Sequence, residues 1–195
     1  FGIYLANGES EVISNNTVEN FGSGIYAVNT YTGVTITDNV VSKVANRGIH
    51  VDGYGAGGDP FEDLTITGNE VTNSAPSSTT IAIYVASDPG TLAERTTISN
   101  NTSTNFGTGI YAYNIAFSTI DSNGIFESMV GGPDPNETAG IWVDSGSTAF
   151  NDVAITNNTI VNTVVQGQNG IYLASDEDLA PNNDVSFNTV TKFLY

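Results

Sequence analysis

The stretch that decides the fold is Gly140-Ile141-Trp142-Val143-Asp144, because versions of its first four residues recur along the chain. Each version has an Ile, then a ring, then a small or aliphatic residue. The seven versions are Gly2-Ile3-Tyr4-Leu5, Gly24-Ile25-Tyr26-Ala27, Gly48-Ile49-His50-Val51, Ala82-Ile83-Tyr84-Val85, Gly109-Ile110-Tyr111-Ala112, Gly140-Ile141-Trp142-Val143 and Gly170-Ile171-Tyr172-Leu173. Successive side chains of a β-strand point to opposite faces, so the Ile and the residue after the ring should face a core and the ring should face outward.

The outward rings would form one column, which we call the ring ladder. Its members are Tyr4, Tyr26, His50, Tyr84, Tyr111, Trp142 and Tyr172. Two interpretations of this ladder stay open. Stacked aromatic side chains stabilise neighbouring strands, and an exposed row of rings can also serve as a platform on which sugars stack.

An Asn recurs 10 to 20 residues after each ring, with Ile or Val three residues before it. The copies of this residue are Asn16, Asn39, Asn69, Asn101, Asn123, Asn158 and Asn188. Two positions after the Asn comes Val or Ile in every copy except one, where it is Ser103. The repeating unit is therefore strand, loop, strand, Asn corner and strand.

Units of this kind, spaced 22 to 34 residues apart, predict a parallel β-solenoid in which each turn stacks on the last. A helical interpretation fails because the apolar period is two and Gly and Asn are frequent. The chain resembles the right-handed parallel β-helix superfamily typified by pectate lyases, over essentially residues 2–195. The resemblance implies an all-β fold of about seven coils with three short strands each. It also implies that the recurring Asn forms a stacked ladder, in which each amide bonds the next about 4.8 Å along the axis and the Asn tolerates left-handed backbone.

Charge and composition limit the partners. The chain has 21 acidic and four basic residues, a net charge of −17, which opposes contact with nucleic acid phosphates or anionic lipid. No apolar run is long enough to insert into a membrane. A polyanionic sugar would also be repelled unless Ca²⁺ bridges it. The absence of Cys excludes disulfide scaffolds and thiolate chemistry, and scarce Lys beside abundant Asn, Thr, Ser and Gly favours an extracellular or cell-surface protein.

The candidate catalytic centre is around His50, the single histidine. Asp52 lies two residues on and shares the outward face, and Arg47 lies just before the predicted strand. Such groups could abstract the C5 proton of a uronate, which is the task of polysaccharide lyases and epimerases. The alternative is an incidental surface His beside an Asp.

A second resemblance touches the same coil. Alginate epimerases carry a Tyr-Gly-Phe-Asp-Pro-His-Glu segment, and here Tyr54-Gly55 precedes Asp59-Pro60-Phe61-Glu62. The resemblance implies that Tyr54 and Asp59 correspond to the catalytic Tyr and Asp. Two extra residues separate the halves, and Phe61 stands where that family has its His.

Acidic loops carry oxygen ligands of the kind that Ca²⁺ binds. The candidate metal ligands are Asp59, Glu62, Asp63, Asp134, Glu137 and Asp176. The loops lack the spacing of an EF-hand or of the nonapeptide Ca²⁺ repeat, so solvated acidic loops are the alternative. The sequence indicates no other cofactor.

A sugar subsite is predicted about 14 Å from His50, where Trp142 and Asp144 share the outward face with Tyr111, Tyr113 and Tyr172. The predicted carbohydrate-binding residues are Tyr4, Tyr26, Tyr84, Tyr111, Tyr113, Trp142, Asp144 and Tyr172. Loops of varying length before and after the ring strands should form the two sides of a groove, with the ring ladder as its floor.

Three functions stay open, and so does the question of whether the chain is an enzyme. The first is a secreted or cell-surface module that contacts polysaccharide along the aromatic groove. The second is a polysaccharide lyase or uronate C5-epimerase acting in the same groove. The third is a structural unit that stacks end to end, since residues 1–195 are expected to form one β-helix domain whose end caps are missing, a segment of a longer protein with flanking domains.

Overall fold

The computed structural model describes residues 1–29, 32–53, 62–74, 77, 79–88, 91–127, 139–145, 151–162, 169–175 and 182–192. Within these ranges the chain forms 23 strands, numbered β1 to β23 in chain order, and all of the strand pairs are parallel. Three sheets of seven strands each run the length of the stack. The prediction of a parallel β-helix with about seven coils and three short strands per coil is confirmed.

The first sheet carries the ring strands. Its members are β1 (Ile3–Ala6), β4 (Ser23–Val28), β7 (Arg47–Asp52), β10 (Ile81–Ala86), β14 (Thr108–Tyr113), β18 (Ala139–Ser145) and β21 (Asn169–Ser175). Arg47 is thus the first residue of its strand, rather than the residue just before it. The strands stack in sequence order, so each ring strand pairs with the ring strands of the coils before and after it.

The second and third sheets flank the Asn corner. The second contains β2 (Val12–Ser14), β5 (Thr35–Thr37), β8 (Thr65–Thr67), β12 (Thr97–Ser99), β16 (Thr119–Asp121), β19 (Ala154–Thr156) and β22 (Asp184–Ser186). The third contains β3 (Thr17–Glu19), β6 (Val40–Ser42), β9 (Glu70–Thr72), β13 (Thr102–Thr104), β17 (Gly124–Phe126), β20 (Thr159–Asn162) and β23 (Thr189–Lys192). A short additional pair, β11 (Ala93–Glu94) with β15 (Ile115–Ala116), was not predicted.

The core is a set of aliphatic columns that run through the stack. In the middle coils the inward residues Ile36, Ile66 and Ile98 of the second sheet are fully buried. Their neighbours along each strand face outward. The alternation of apolar and polar residues in the sequence therefore gives an apolar interior and a polar surface.

The Asn ladder is present at the corner between the second and third sheets. Asn69 shows the pattern: its Nδ2 donates to Asn101 Oδ1 at 2.9 Å and to the Ile36 carbonyl at 2.9 Å, and its Oδ1 accepts from the Asn39 backbone N–H at 3.0 Å. The same bonds link all seven Asn residues from Asn16 to Asn188. Buried backbone carbonyls at the corner thereby find donors.

The left-handed backbone lies one residue earlier than the Asn residues of the ladder. Positive φ angles of 54° to 57° occur at the preceding residue in six coils, and Gly68 has φ 68° in the seventh. The six residues are Asn15, Asp38, Asn100, Ser122, Asn157 and Phe187. The ladder Asn is therefore selected for its amide hydrogen bonds, and the residue before it makes the turn.

Candidate functional site

The ring ladder forms as predicted. The strand register pairs Tyr4 with Tyr26, Tyr26 with His50, and so on to Trp142 with Tyr172. Adjacent ring centroids lie 4.2 to 5.6 Å apart. The residues on either side of the middle rings, such as Ile83 and Val85, are fully buried, so the rings lie on the outer face of the first sheet.

Exposure varies along the ladder. Tyr4 is 57% exposed, whereas His50 is only 7% exposed although it lies on the outward face. Phe1 adds a ring that the sequence analysis missed, because it precedes the repeat: its centroid is 5.5 Å from that of Tyr4 and 4.7 Å from that of Tyr26. The ladder is thus a continuous aromatic surface with a buried imidazole in it.

Arg47 and the two neighbouring rings enclose His50. The His50 ring is stacked on Tyr26 at 4.2 Å and meets Tyr84 edge-on at 4.8 Å. The Arg47 Nη1 atom lies 2.7 Å from His50 Nε2 and 3.2 Å from Nδ1, and its Cζ lies 3.7 Å from the centroid of the Tyr84 ring. The planar guanidinium suits both contacts, since it donates hydrogen bonds and stacks on aromatic faces.

Asp52 approaches the same nitrogen of His50, with Oδ2 at 3.5 Å from Nε2. Both imidazole nitrogens lie close to the same guanidinium nitrogen, so Arg47 Nη1 lies over the His50 ring, where its charge disfavours the protonated form. Burial lowers the His50 pKa, the Asp52 carboxylate raises it in part, and the Arg47 charge lowers it further. Arg47, His50 and Asp52, predicted together from the sequence, are thus neighbours in the structure.

A cleft of about 380 Å³ opens beside this centre. Its lining combines rings, polar side chains and one cation: Phe1, Ser23, Tyr26, Asn46, Arg47, His50, Thr79 and Ile81. These residues come from the ring strands and from the segments that lead into them. The cleft thus lies at the side of the ladder where each coil enters the first sheet.

A second cluster lies further along the ladder. The Tyr111 hydroxyl donates to Asp144 Oδ2 at 3.4 Å, and the Tyr111 ring meets Trp142 edge-on at 5.1 Å. Tyr113 lies parallel to Tyr111 with a centroid distance of 6.4 Å and is paired with Asp144 in the strand register. Burial, and then the Asp144 charge, raise the Tyr111 pKa well above its usual range, so this phenol keeps its proton. Tyr172, the fifth residue predicted for this subsite, has its ring centroid 5.6 Å from that of Trp142, so the five residues are neighbours.

Two of the predicted metal ligands, Glu62 and Asp63, are held by Arg95. Asp63 Oδ1 accepts from Arg95 Nε at 2.7 Å, and Glu62 accepts from Arg95 Nη2. No group of three or more His, Asp or Glu side chains in the described ranges could hold a metal ion. Of the other predicted site residues, Tyr54, Asp59, Asp134, Glu137 and Asp176 lie outside the described residues.

The comparisons with known proteins agree with the architecture. The family model described as a right handed beta helix region matches residues 1–193. No curated protein and no solved structure matches the chain. The described part of the chain contains no helix with the length and apolar character needed to cross a membrane.

Proposed function

Because the chain belongs to the family of right-handed β-helix regions, we propose that it is a β-helix module that binds polysaccharide along its ring ladder. One observation carries the proposal: an unbroken column of outward aromatic rings spans all seven strands of the first sheet. Such a column presents aromatic surface to sugars along its length, in part as ring edges because several neighbouring rings stack on one another. Asp144 and the Tyr111 hydroxyl add polar groups beside it. Scarce Lys beside abundant Asn, Thr, Ser and Gly fits a role outside the cell or at its surface.

The binding proposal can be tested by fluorescence, because Trp142 is the single Trp of the chain and lies in the ladder. Titration with soluble oligosaccharides should change its emission. Tyr111→Ala should weaken binding about tenfold, equivalent to about 1.4 kcal/mol. Phe117 is an exposed aromatic residue outside the ladder, so Phe117→Ser serves as the matched control. Equal affinities for the two variants would contradict the proposal.

A second candidate function is a uronate lyase or C5-epimerase centred on His50. The observation that favours it is the contact of an imidazole nitrogen with both Arg47 and Asp52 next to a cleft. Binding is the better supported function, because His50 is only 7% exposed and the Arg47 guanidinium lies against both of its ring nitrogens, where a substrate proton would have to approach.

Enzymatic activity has a direct assay. Polygalacturonate and alginate are incubated with the protein and Ca²⁺, and the absorbance of unsaturated products and the sugar NMR spectrum are followed. Turnover that is lost in His50→Ala would establish the enzyme and displace the binding-only proposal.

A further inference from the structure

The four basic residues of this acidic chain differ in how they are paired. Lys43 lies 2.5 Å from Glu19, and Arg95 contacts Glu62 and Asp63. The side chain of Lys192 is outside the described part. Among the described residues, no carboxylate oxygen lies within 4.0 Å of an Arg47 nitrogen. Arg47 thus makes no direct ion pair there, although the Asp52 carboxylate lies 3.5 Å from the same His50 nitrogen that Arg47 contacts.

Arg47 is nevertheless held in place. Its Cζ lies 3.7 Å from the Tyr84 ring centroid, and its Nη1 contacts the His50 nitrogens at 2.7 and 3.2 Å. These polar contacts with His50 involve Nη1 alone of the three guanidinium nitrogens, and Nε and Nη2 have no hydrogen bond among the described residues. A guanidinium carries five N–H donors in a fork that matches a carboxylate, so donors remain for a ligand.

The surroundings of Arg47 fit a sugar acid. The guanidinium lines the cleft of about 380 Å³ together with the rings of Phe1 and Tyr26 and the polar side chains of Ser23 and Asn46. Rings can stack on a pyranose face, and hydroxyl and amide groups can bond its hydroxyls. The cleft therefore combines one anion-binding group with groups that recognise neutral hydroxylated rings.

The rest of the ladder opposes further negative charge. Asp52 and Asp144 lie on the same outward face, and the net charge is −17. A polyuronate would bring a carboxylate with every sugar into this field, whereas Arg47 can neutralise one of them. The preference is therefore for a ligand with isolated carboxylates.

We infer that the cleft binds a single carboxylate of an otherwise neutral glycan, through Arg47, while neutral sugars of the same chain stack on the ring ladder. The inference deepens the proposed function and rests on it. Arg47 acts as the specificity-determining residue, and the ligand class is a neutral polysaccharide with sparse uronate branches or ends.

The test measures the affinity of three ligands by calorimetry: a neutral xylo-oligosaccharide, the same oligosaccharide with one glucuronate branch, and an oligogalacturonate of equal length. At about 0.01 M salt we expect the singly charged ligand to bind at least tenfold more tightly than the other two. Raising the salt to about 0.15 M should reduce this advantage by screening.

Substitutions test whether Arg47 is the residue that produces the tighter binding of the glucuronate-branched ligand. Arg47→Gln should remove the advantage of the glucuronate branch, and Arg47→Lys should keep only part of it, because a Lys ammonium is a point charge without the planar fork. Arg95→Gln is the matched control, since Arg95 is paired with acids in the described structure, and it should leave the advantage unchanged. Circular dichroism and thermal unfolding confirm that each variant is folded, and the Lys variant keeps the test valid if the Gln variant is not.

The outcomes separate the two proposals. Equal binding of neutral and branched ligands, with loss in Tyr111→Ala, would overturn the carboxylate site and leave the ladder proposal standing. Tightest binding of the oligogalacturonate, or an advantage that survives Arg47→Gln, would also overturn the inference. Absence of binding by all three ligands would overturn both.

Discussion

His50 shows at the residue scale how one substitution in a repeat creates a distinct local environment. It takes a ladder position that holds Tyr in five other coils and Trp in one, and it is buried between two Tyr rings. Its pKa is lowered by burial, raised in part by Asp52 and lowered further by Arg47. The neutral form is therefore the one that the folded state favours.

The His50 pKa leads to a prediction about acid stability. The unfolded chain has the ordinary His pKa of about 6.5 and binds the proton more readily than the folded protein, so stability is lost as the pH falls from about 7 through 6.5 towards the lower folded value. We expect the melting temperature of the wild type to decrease relative to that of His50→Gln between about pH 7.5 and pH 5.5. The Gln variant contains the same acidic residues as the wild type, so their contribution to the pH dependence cancels when the two melting temperatures are compared. Parallel curves would show that the folded state does not depress the His50 pKa.

A second residue-scale feature is the missing side chain at the start of the ring strands. A Cβ added at the Gly of six coils would lie 2.2 to 2.6 Å from a γ-methyl of the inward third-sheet residue of the same coil, for example Gly48 against Val71. The remaining coil has Ala82, and its third-sheet residue is Ser103, which is in register with Val71 and Ile125. The smaller Ser compensates for the larger Ala.

This compensation predicts a coupled pair. Ser103→Val should destabilise the protein by about 1–3 kcal/mol through overpacking against Ala82, although it removes a buried hydroxyl that has no partner among the described residues. Ala82→Gly combined with Ser103→Val should recover most of the loss. Urea denaturation of both single variants and the double variant measures the coupling. Additive effects of the two changes would contradict the proposed contact.

Some features of individual residues could be predicted from the sequence. The alternation rule predicted which rings face outward, because the strand period is a backbone property. It could not predict that Arg47 folds over Tyr84 and buries His50, since long side chains choose among rotamers by packing that the repeat does not encode. Phe1 was missed because it lies outside the repeated motif.

The Asn corner is the feature that matters most at the element scale. Each amide bonds the next coil and caps a strand carbonyl of the previous coil, so the corner joins three successive turns. The recurring Asn predicted the ladder once the resemblance to parallel β-helix proteins was recognised. The position of the left-handed residue was not, because Asn, Asp, Ser, Phe and Gly all occupy it.

The Asn ladder predicts a large effect for an isosteric change. In Asn69→Asp, the side chain loses its N–H donors and faces three acceptors, the carbonyls of Ile36 and Thr67 and the Asn101 Oδ1. We expect a loss of about 3 kcal/mol or more in the free energy of unfolding, because a buried charge is left facing oxygen atoms.

The same change in Asn16→Asp is the control, since this end rung is half-buried and should cost less. Chemical denaturation compares the two variants. The cost of Asn69→Asp should shrink in acid, where the protonated carboxyl regains one donor. Equal costs for the two rungs would argue against cooperation along the ladder.

Burial changes along the stack, whereas negative charge does not, at the scale of the whole molecule. The inward residues of the middle coils are fully buried, whereas Val185 and Val190 near the last coil are 44% and 51% exposed. Negative charge is distributed over the entire chain, with only four basic residues against it. Each coil of a solenoid contacts only the adjacent coils. The fold therefore has no common centre in which the residues of the end coils or the charged side chains could be buried.

The charge imbalance predicts stabilisation by salt. Screening should relieve the repulsion among the acidic residues more than it weakens the few exposed ion pairs, such as Lys43 with Glu19. The melting temperature should therefore rise when NaCl is increased from about 0.01 to about 0.15 M at constant pH. A non-electrolyte at equal osmolality serves as the control and should give a smaller rise. A decrease with NaCl would mean that the attractive pairs dominate.

The shared register has one more consequence. Since every turn meets the next through the same backbone bonds and the same Asn corner, the number of turns can change by whole units without redesign of any other part. Gene duplication of one repeat would lengthen the aromatic surface by one step of about 4.8 Å. The number of turns thus sets the length of the aromatic surface, and with it the number of sugars that the binding surface we propose could contact.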